Sequence, residues 1–170
     1  MEFKEGVYEG LPFEEYNEIE ALRASDLKDV DRCAYSWKHK KGFKQSPALL
    51  EGRVQHTCFL EHENFDQEFI IEPQINKRTK AGKEEYAEFL EEVGNLTPIT
   101  SKMYEDCMER RETLKDFIPD ENDKVELTLC YMYHGHPFKS RLDWHDGEYV
   151  WDLKTCRDAS PRGFRSAVNM

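Results

Sequence analysis

Lys139-Ser140-Arg141-Leu142-Asp143-Trp144, followed by Tyr149-Val150-Trp151-Asp152-Leu153-Lys154-Thr155, is the stretch on which the reading of this chain turns. Apolar and polar residues alternate with period two on both sides of Asp146-Gly147, a dipeptide that favours a tight hairpin turn. Asp143 ends the first strand. Asp152 and Lys154 stand two apart on the next, and residues two apart on a strand share a face. The turn therefore returns two carboxylates and an ammonium to one neighbourhood, an arrangement that is costly when buried and unpaired. A divalent cation relieves it, because Mg2+ takes one or two carboxylates and completes its shell with waters and phosphate oxygens. Such a cation polarises a phosphoryl group and lowers the pKa of a bound water. Lys154 can orient that water or offset charge developing on the phosphate. An ion pair on a sheet face competes with this reading. The triplet alone decides nothing, since Asp26-Leu27-Lys28 repeats it on a helix, where solvated surface charge is the ordinary explanation.

Upstream, Val125, Leu127, Leu129, Tyr131 and Tyr133 alternate with Glu126, Thr128, Cys130 and Met132, and His134-Gly135-His136 turns the chain into Phe138, Ser140, Leu142 and Trp144. The pattern predicts a three-stranded antiparallel meander over about 122–156, its third strand spanning Glu148–Thr155. Ser160-Pro161 then opens a helix over about 160–170. The half before about 118 reads as helical. A short helix covers Phe13–Ile19, and a second runs from Ser25 as N-cap towards Trp37. A third starts at Ser46 with Pro47 in its first position and runs to Leu60, with Leu50, Val54 and Cys58 as its buried stripe. A strand at Glu68–Glu72, a basic mobile connection at Lys77–Lys83 and an acidic helix at Glu84–Val93 follow. Thr100 or Ser101 caps a helix to about Phe117. The expected fold class is α+β, helices packed on a small antiparallel sheet, as one domain over residues 1–170.

The chain has 170 residues, 38% hydrophobic and 35% charged, with ten Phe, eight Tyr and three Trp, which is enough apolar mass for a core. No run approaches the roughly 20 apolar residues that cross a bilayer, and no basic start leads into an apolar run, so a soluble cytoplasmic protein is expected. A net charge of -11 argues against a simple nucleic-acid coat. It does not exclude a nuclease, because charge acts locally over about 8 Å. Two stretches carry no acid: Ser36–Leu50, with Lys38, Lys40, Lys41 and Lys44, and Pro73–Lys83, with Lys77, Arg78, Lys80 and Lys83. Each is either a solvated loop or a phosphate contact. Five scattered cysteines without a CxxC exclude a zinc ribbon, an iron–sulfur cluster and a disulfide framework, and read as reduced, mainly buried thiols.

Four segments taken together resemble the PD-(D/E)XK nuclease superfamily, and within it the RecE-like exonucleases of phages and prophages. They are Ala24-Ser25-Asp26-Leu27-Lys28 with Cys33-Ala34-Tyr35; Leu50-Glu51-Gly52-Arg53-Val54-Gln55-His56; Gly135-His136-Pro137-Phe138-Lys139-Ser140-Arg141-Leu142-Asp143; and Trp151-Asp152-Leu153-Lys154-Thr155 with Asp158-Ala159-Ser160-Pro161. The resemblance implies a restriction-endonuclease-like core in which Asp143 and Asp152 bind catalytic Mg2+ or Mn2+. His56 and the Leu153 carbonyl complete the coordination, Glu126 is a weaker further ligand, and Lys154 positions the attacking water. By itself a single His on a half-apolar helix is more often a packed core residue; Gly52, one turn earlier, gives room for close approach.

The activity implied is Mg2+-dependent exonuclease digestion of linear double-stranded DNA from 5′ to 3′ in phage-type recombination. A RecT-like single-strand annealing protein and a ring-like homo-oligomer are the implied partners. Lys38, Lys40, Lys41, Lys77, Arg78, Lys80 and Arg141 are the candidate nucleic-acid contacts, and Tyr35 and Trp37 are either base-stacking or core aromatics. The chain departs from the family in ending where a helix carrying Q-x-x-x-Y is expected, so the fold is expected to be incomplete at the C-terminus. The competing reading is a truncated, non-cleaving nuclease-fold module that binds DNA or a partner nuclease.

Overall fold

Alternation in the last third of the chain builds the sheet on which everything else is arranged. The computed structural model describes residues 2–39, 46–156 and 158–168. In chain order the elements are β1 (Gly6–Tyr8), α1 (Phe13–Glu18), α2 (Ala24–Lys38), α3 (Pro47–Leu60), α4 (Phe65–Glu68), β2 (Phe69–Ile71), α5 (Lys80–Val93), β3 (Thr97–Ile99), α6 (Ser101–Thr113), β4 (Lys124–Tyr133), β5 (His136–His145), β6 (Val150–Trp151) and α7 (Pro161–Val168). The main sheet has the order β1-β4-β5-β6 and is antiparallel throughout. β2 and β3 form a separate parallel pair. The two-residue turn His134-Gly135 joins β4 to β5 with positive φ at both positions, 48° and 77°, the geometry whose twist matches that of the strands.

Two small cores hold the layers together. Val54 and Cys58 of α3 pack with Phe65, Phe69, Ile99 and Cys107, so α3 and α6 are clamped onto the β2–β3 pair. Leu11, Tyr16 and Ile19 pack with Cys130, which seats α1 on one face of the main sheet. Burying each such side chain contributes roughly 1.5–3 kcal/mol. Lys139 is nearly inaccessible on that same face, at 2%. Its Nζ donates to the carbonyl oxygens of Tyr16 (2.6 Å), Asn17 (3.1 Å) and Ile19 (2.8 Å). A cation thus satisfies the end of α1, where carbonyls lack intrahelical partners and the helix dipole is negative.

Caps explain the helix starts. The side chains of Ser46, Thr79 and Thr100 accept hydrogen bonds from the backbone N–H of Leu49, Gly82 and Met103. The second helix begins at Ala24, with Arg23 rather than Ser25 as its N-cap. The reason is Asp26, whose carboxylate accepts from the Arg23 N–H (2.9 Å) and, across a non-helical break at Cys33, from Trp37 Nε1 (3.1 Å). In the upstream D-L-K copy Asp26 is therefore a capping residue, while Lys28 is exposed as surface charge.

Three further expectations are corrected. An additional strand, β1, pairs with β4, too short at three residues to carry a pattern. The third strand of the hairpin pair ends at Trp151 instead of continuing to Thr155. The basic stretch Lys77–Lys83 is no loose connection: Lys77 bonds Glu72 at 2.7 Å and sits 3.6 Å over the Tyr86 ring, and α5 begins at Lys80. All five cysteines are free; Cys58, Cys107 and Cys130 are buried, whereas Cys33 and Cys156 are exposed.

Candidate metal centre

The register of β4 and β5 places Glu126 and Asp143 in the same rung. Val125 pairs with Trp144 and Leu127 with Leu142, so Glu126 falls opposite Asp143 although no ladder pairing is made there. The cause is the Glu126 backbone, at φ 51° in the middle of a strand. A non-glycine residue held at positive φ costs of order 1–3 kcal/mol and persists only where surrounding contacts enforce it. Here they do. The Arg141 guanidinium pairs with the Glu126 carboxylate and also donates to the Leu11 carbonyl at 2.7 Å. It lies over the rings of Phe13 and Tyr16, 5.8 Å from each centroid.

His56 reaches this rung from α3. Its Nδ1 is 3.8 Å from Glu126 Oε1, and its Nε2 is 3.6 Å from Asp143 Oδ2. Nε2 donates to the Leu153 carbonyl at 2.9 Å, and the Leu153 N–H donates to Asp143 Oδ2 at 2.7 Å. One ligand atom each from His56, Glu126 and Asp143 lies within 4.8 Å of the others, and among the described residues this is the group that could hold a metal ion. Gly52 bears on the site indirectly: a Cβ there would meet the Thr155 hydroxyl at 3.8 Å, an ordinary contact, so room for His56 does not demand glycine.

Electrostatics in the cluster pull in opposite directions. The Glu126 carboxylate beside it raises the His56 imidazole above its ordinary range, against the effect of burial and with help from Asp143. Burial pushes Glu126 up, yet His56 and Arg141 together bring it below the usual carboxylate range. Burial dominates at Asp143 and raises it, only partly offset by His56 and the Leu153 N–H. A partly desolvated carboxyl facing a second carboxylate and an imidazole is a place where a divalent cation replaces protons. The two carboxylates suit Mg2+ or Mn2+, while the imidazole is a ligand more usual for zinc or iron.

Glu61, at the end of α3, joins this field: burial and then the Glu126 charge push its carboxyl up. No spacing rule in the sequence singles it out. Nor does any rule pick out Arg141 as the partner of Glu126, although alternation does place it on the same face of β5 as Asp143.

Two other expected site residues stand at the edge of the cluster, near enough for their charges to act on Asp143. Asp152 and Lys154 pair with each other at 2.6 Å, and both side chains are mostly exposed, at 62% and 70%. They follow the last rung of β6. Trp144 pairs with Trp151 and His145 with Val150; continuing that register would set Asp152 opposite Asp143 and Lys154 opposite Arg141. Instead the chain leaves the ladder, and the Leu153 N–H bonds the Asp143 side chain.

Of the candidate nucleic-acid contacts, Arg141 is committed to Glu126 and is 15% exposed. Lys77 is committed to Glu72 and Tyr86, and Lys80 pairs with Glu84 at 3.8 Å. Lys38 and Arg78 are exposed, whereas Lys40 and Lys41 fall outside the described residues. Tyr35 is exposed, and Trp37 is held by Asp26. No helix among the described residues is long and apolar enough to cross a membrane.

The sequence model of one family, a PDDEXK-like domain of unknown function (DUF3799), matches residues 19–170. No curated protein and no solved structure matches the chain.

Proposed function

The chain belongs to this PDDEXK-like family, matched over residues 19–170, and we propose that it is a divalent-metal-dependent DNA nuclease. The observation that carries the reading is the convergence of His56, Glu126 and Asp143, from α3, β4 and β5, within 4.8 Å. These residues would hold the cation, with the Leu153 carbonyl close by. A divalent cation supplies there a Lewis acid for a phosphoryl oxygen and a more acidic bound water.

The protein's own groups do the rest. Arg141 keeps Glu126 ionised and fixed in its left-handed conformation. The strand register offers Asp152 and Lys154 a route to the same face: one further rung of β6 pairing would carry the second carboxylate to Asp143, and three would bring the ammonium alongside. In that arrangement Lys154 orients the attacking water and offsets charge developing on the phosphate.

The finer reading is exonuclease digestion of linear double-stranded ends from 5′ to 3′ with Mg2+ or Mn2+, in phage-type recombination beside a RecT-like annealing protein. It rests on the motif resemblance to RecE-like enzymes, and so do assembly as a homo-oligomer and the metal role of Asp152. Free cysteines accord with a cytoplasmic setting.

One observation favours a second reading. Asp152 and Lys154 neutralise each other in solvent, as suits a nuclease-fold module that binds DNA or another nuclease without cutting.

A time course on end-labelled linear duplex DNA with Mg2+ or Mn2+ separates the two. Loss of nucleotides that disappears in Asp143→Asn and Lys154→Ala supports the enzyme. Equal digestion by both variants would end the assignment, and metal-dependent thermal stabilisation without digestion would favour the binding module.

A further inference from the structure

Beside the donor cluster lies a cavity of about 260 Å3, walled by Phe59, Phe117, Trp144 and Trp151 and bordered by Asp143, Leu153 and Asp152. Asp143 belongs to both places, so whatever fills the cavity lies next to whatever the cluster holds. Trp144 and Trp151 stack on each other with centroids 5.1 Å apart and planes 22° from parallel. Their edges are already engaged: Trp144 Nε1 donates to Asp123 at 2.7 Å and Trp151 Nε1 to Asp146 at 2.8 Å. The indoles therefore offer π faces and apolar edges, but no free donor. The lining is almost wholly apolar, with Leu60 and Leu114 beside the aromatic rings. Trp151 is 40% exposed and Phe117 57%, a large amount of aromatic surface in one place.

We propose that this cavity receives an unstacked nucleobase of the strand whose phosphate lies at the His56–Glu126–Asp143 cluster. The inference rests on the nuclease reading of that cluster. A flat heterocycle matches the aromatic walls, whereas a phosphate would find no cation among the lining residues. Stacking is indifferent to base identity, because every base has a π face. A nuclease with such a cavity acts where bases are already unpaired, at frayed ends or single strands.

Tryptophan fluorescence of the whole chain, titrated with the tetranucleotides (dA)4 and (dT)4 in the presence of Ca2+, tests this against an abasic tetranucleotide. The expected result is saturable quenching by both (dA)4 and (dT)4 and none by the abasic chain. Trp151→Leu keeps the wall apolar and should weaken (dA)4 binding roughly 5- to 140-fold, the measured range for one stacked base. Phe117→Ala, on an exposed residue, should weaken it in the same direction should Trp151→Leu fail to fold. Equal binding of base-bearing and abasic chains overturns the proposal. So does unchanged affinity in both variants, or loss of self-association in Trp151→Leu with oligonucleotide binding intact, which would make the cavity an interface between copies. Mn2+-dependent thermal stabilisation, lost in Asp143→Asn, reads the cluster separately. With that shift present, failure of base binding overturns the cavity alone. Without it in the native protein, the cluster reading falls and takes this premise with it.

Discussion

Arg141→Met removes the cation that holds Glu126, and the structure sets the scale of the loss. The two side chains are 15% and 18% exposed, so the pair is nearly desolvated. Removing one partner of a buried pair costs about 3–5 kcal/mol, and the remaining carboxylate here keeps only the His56 imidazole, 3.8 Å away, beside it. The Leu11 carbonyl also loses its donor. For a chain of this length each 1 kcal/mol moves Tm by about 2–4 °C, so a fall of about 6–20 °C is expected. Urea unfolding at pH 7 measures the loss directly, and adding Glu126→Gln in a double-mutant cycle isolates the pair.

Acidity supplies an independent check. Glu126 lies below its ordinary range in the folded protein, so its contribution is present above the unfolded value of about 4.3 and is lost as pH falls through the folded value. The deficit of Arg141→Met should therefore shrink once the pH drops below about 4. A loss under about 1 kcal/mol at pH 7, additivity with Glu126→Gln, or a deficit that ignores pH would each refute the reasoning.

Two further outcomes follow from local geometry. In Gly82→Ala the new Cβ would lie 2.2 Å from the Asn76 carbonyl oxygen, too close to persist, so the first turn of α5 must shift; a stability loss of about 1–3 kcal/mol in chemical denaturation is expected. The Asp146 carboxylate is brought to about 2 by the N–H groups of Tyr149 and Glu148 and by Trp151 Nε1. Its folded value is depressed, so its stabilisation is complete above the unfolded value near 3.9 and fades as pH falls toward 2. Thermal melts of the native protein and Asp146→Asn should converge at the acid end of that window, and curves that stay parallel throughout would contradict it.

What the sequence disclosed was local chemistry. Ser46 and Thr100 cap helices because a side-chain oxygen accepts from an N–H three residues on, a rule that needs no tertiary information. Asp146-Gly147 and the period-two alternation likewise prefigure the hairpin. Asp143 could be singled out by residue type and strand face, whereas His56 and Glu126 were implied by the motif resemblance; the three converge.

The misreadings all involve a distant partner. The strand after Gly147 stops at Trp151 because the Leu153 N–H is taken by the Asp143 side chain, a choice no alternation pattern can reveal. Arg23 caps α2 because Asp26 reaches back and Trp37 reaches across a break. Lys139, read as one polar residue of an alternating strand, is buried because the end of α1 needs a donor. Arg141 was expected at a phosphate and stands behind Glu126, since a carboxylate at positive φ inside a sheet needs a fixed counter-charge.

The same Lys139 ties the order of synthesis to the order of folding. Its three acceptors precede it by 120 to 123 residues, and β1 finds its partner only in β4. At a translation rate of about 5–20 residues per second, the opening segment waits roughly 6–25 s for the strands that cover it. During that interval Leu11, Tyr16 and Ile19 have no sheet to bury against, while α3 and α6 can already clamp onto β2 and β3. The segment around Leu11, Tyr16 and Ile19 is thus synthesised long before it is covered, so in a nascent chain it stays open to proteases and chaperones, and its closure also sets Arg141 against the Leu11 carbonyl behind the metal centre.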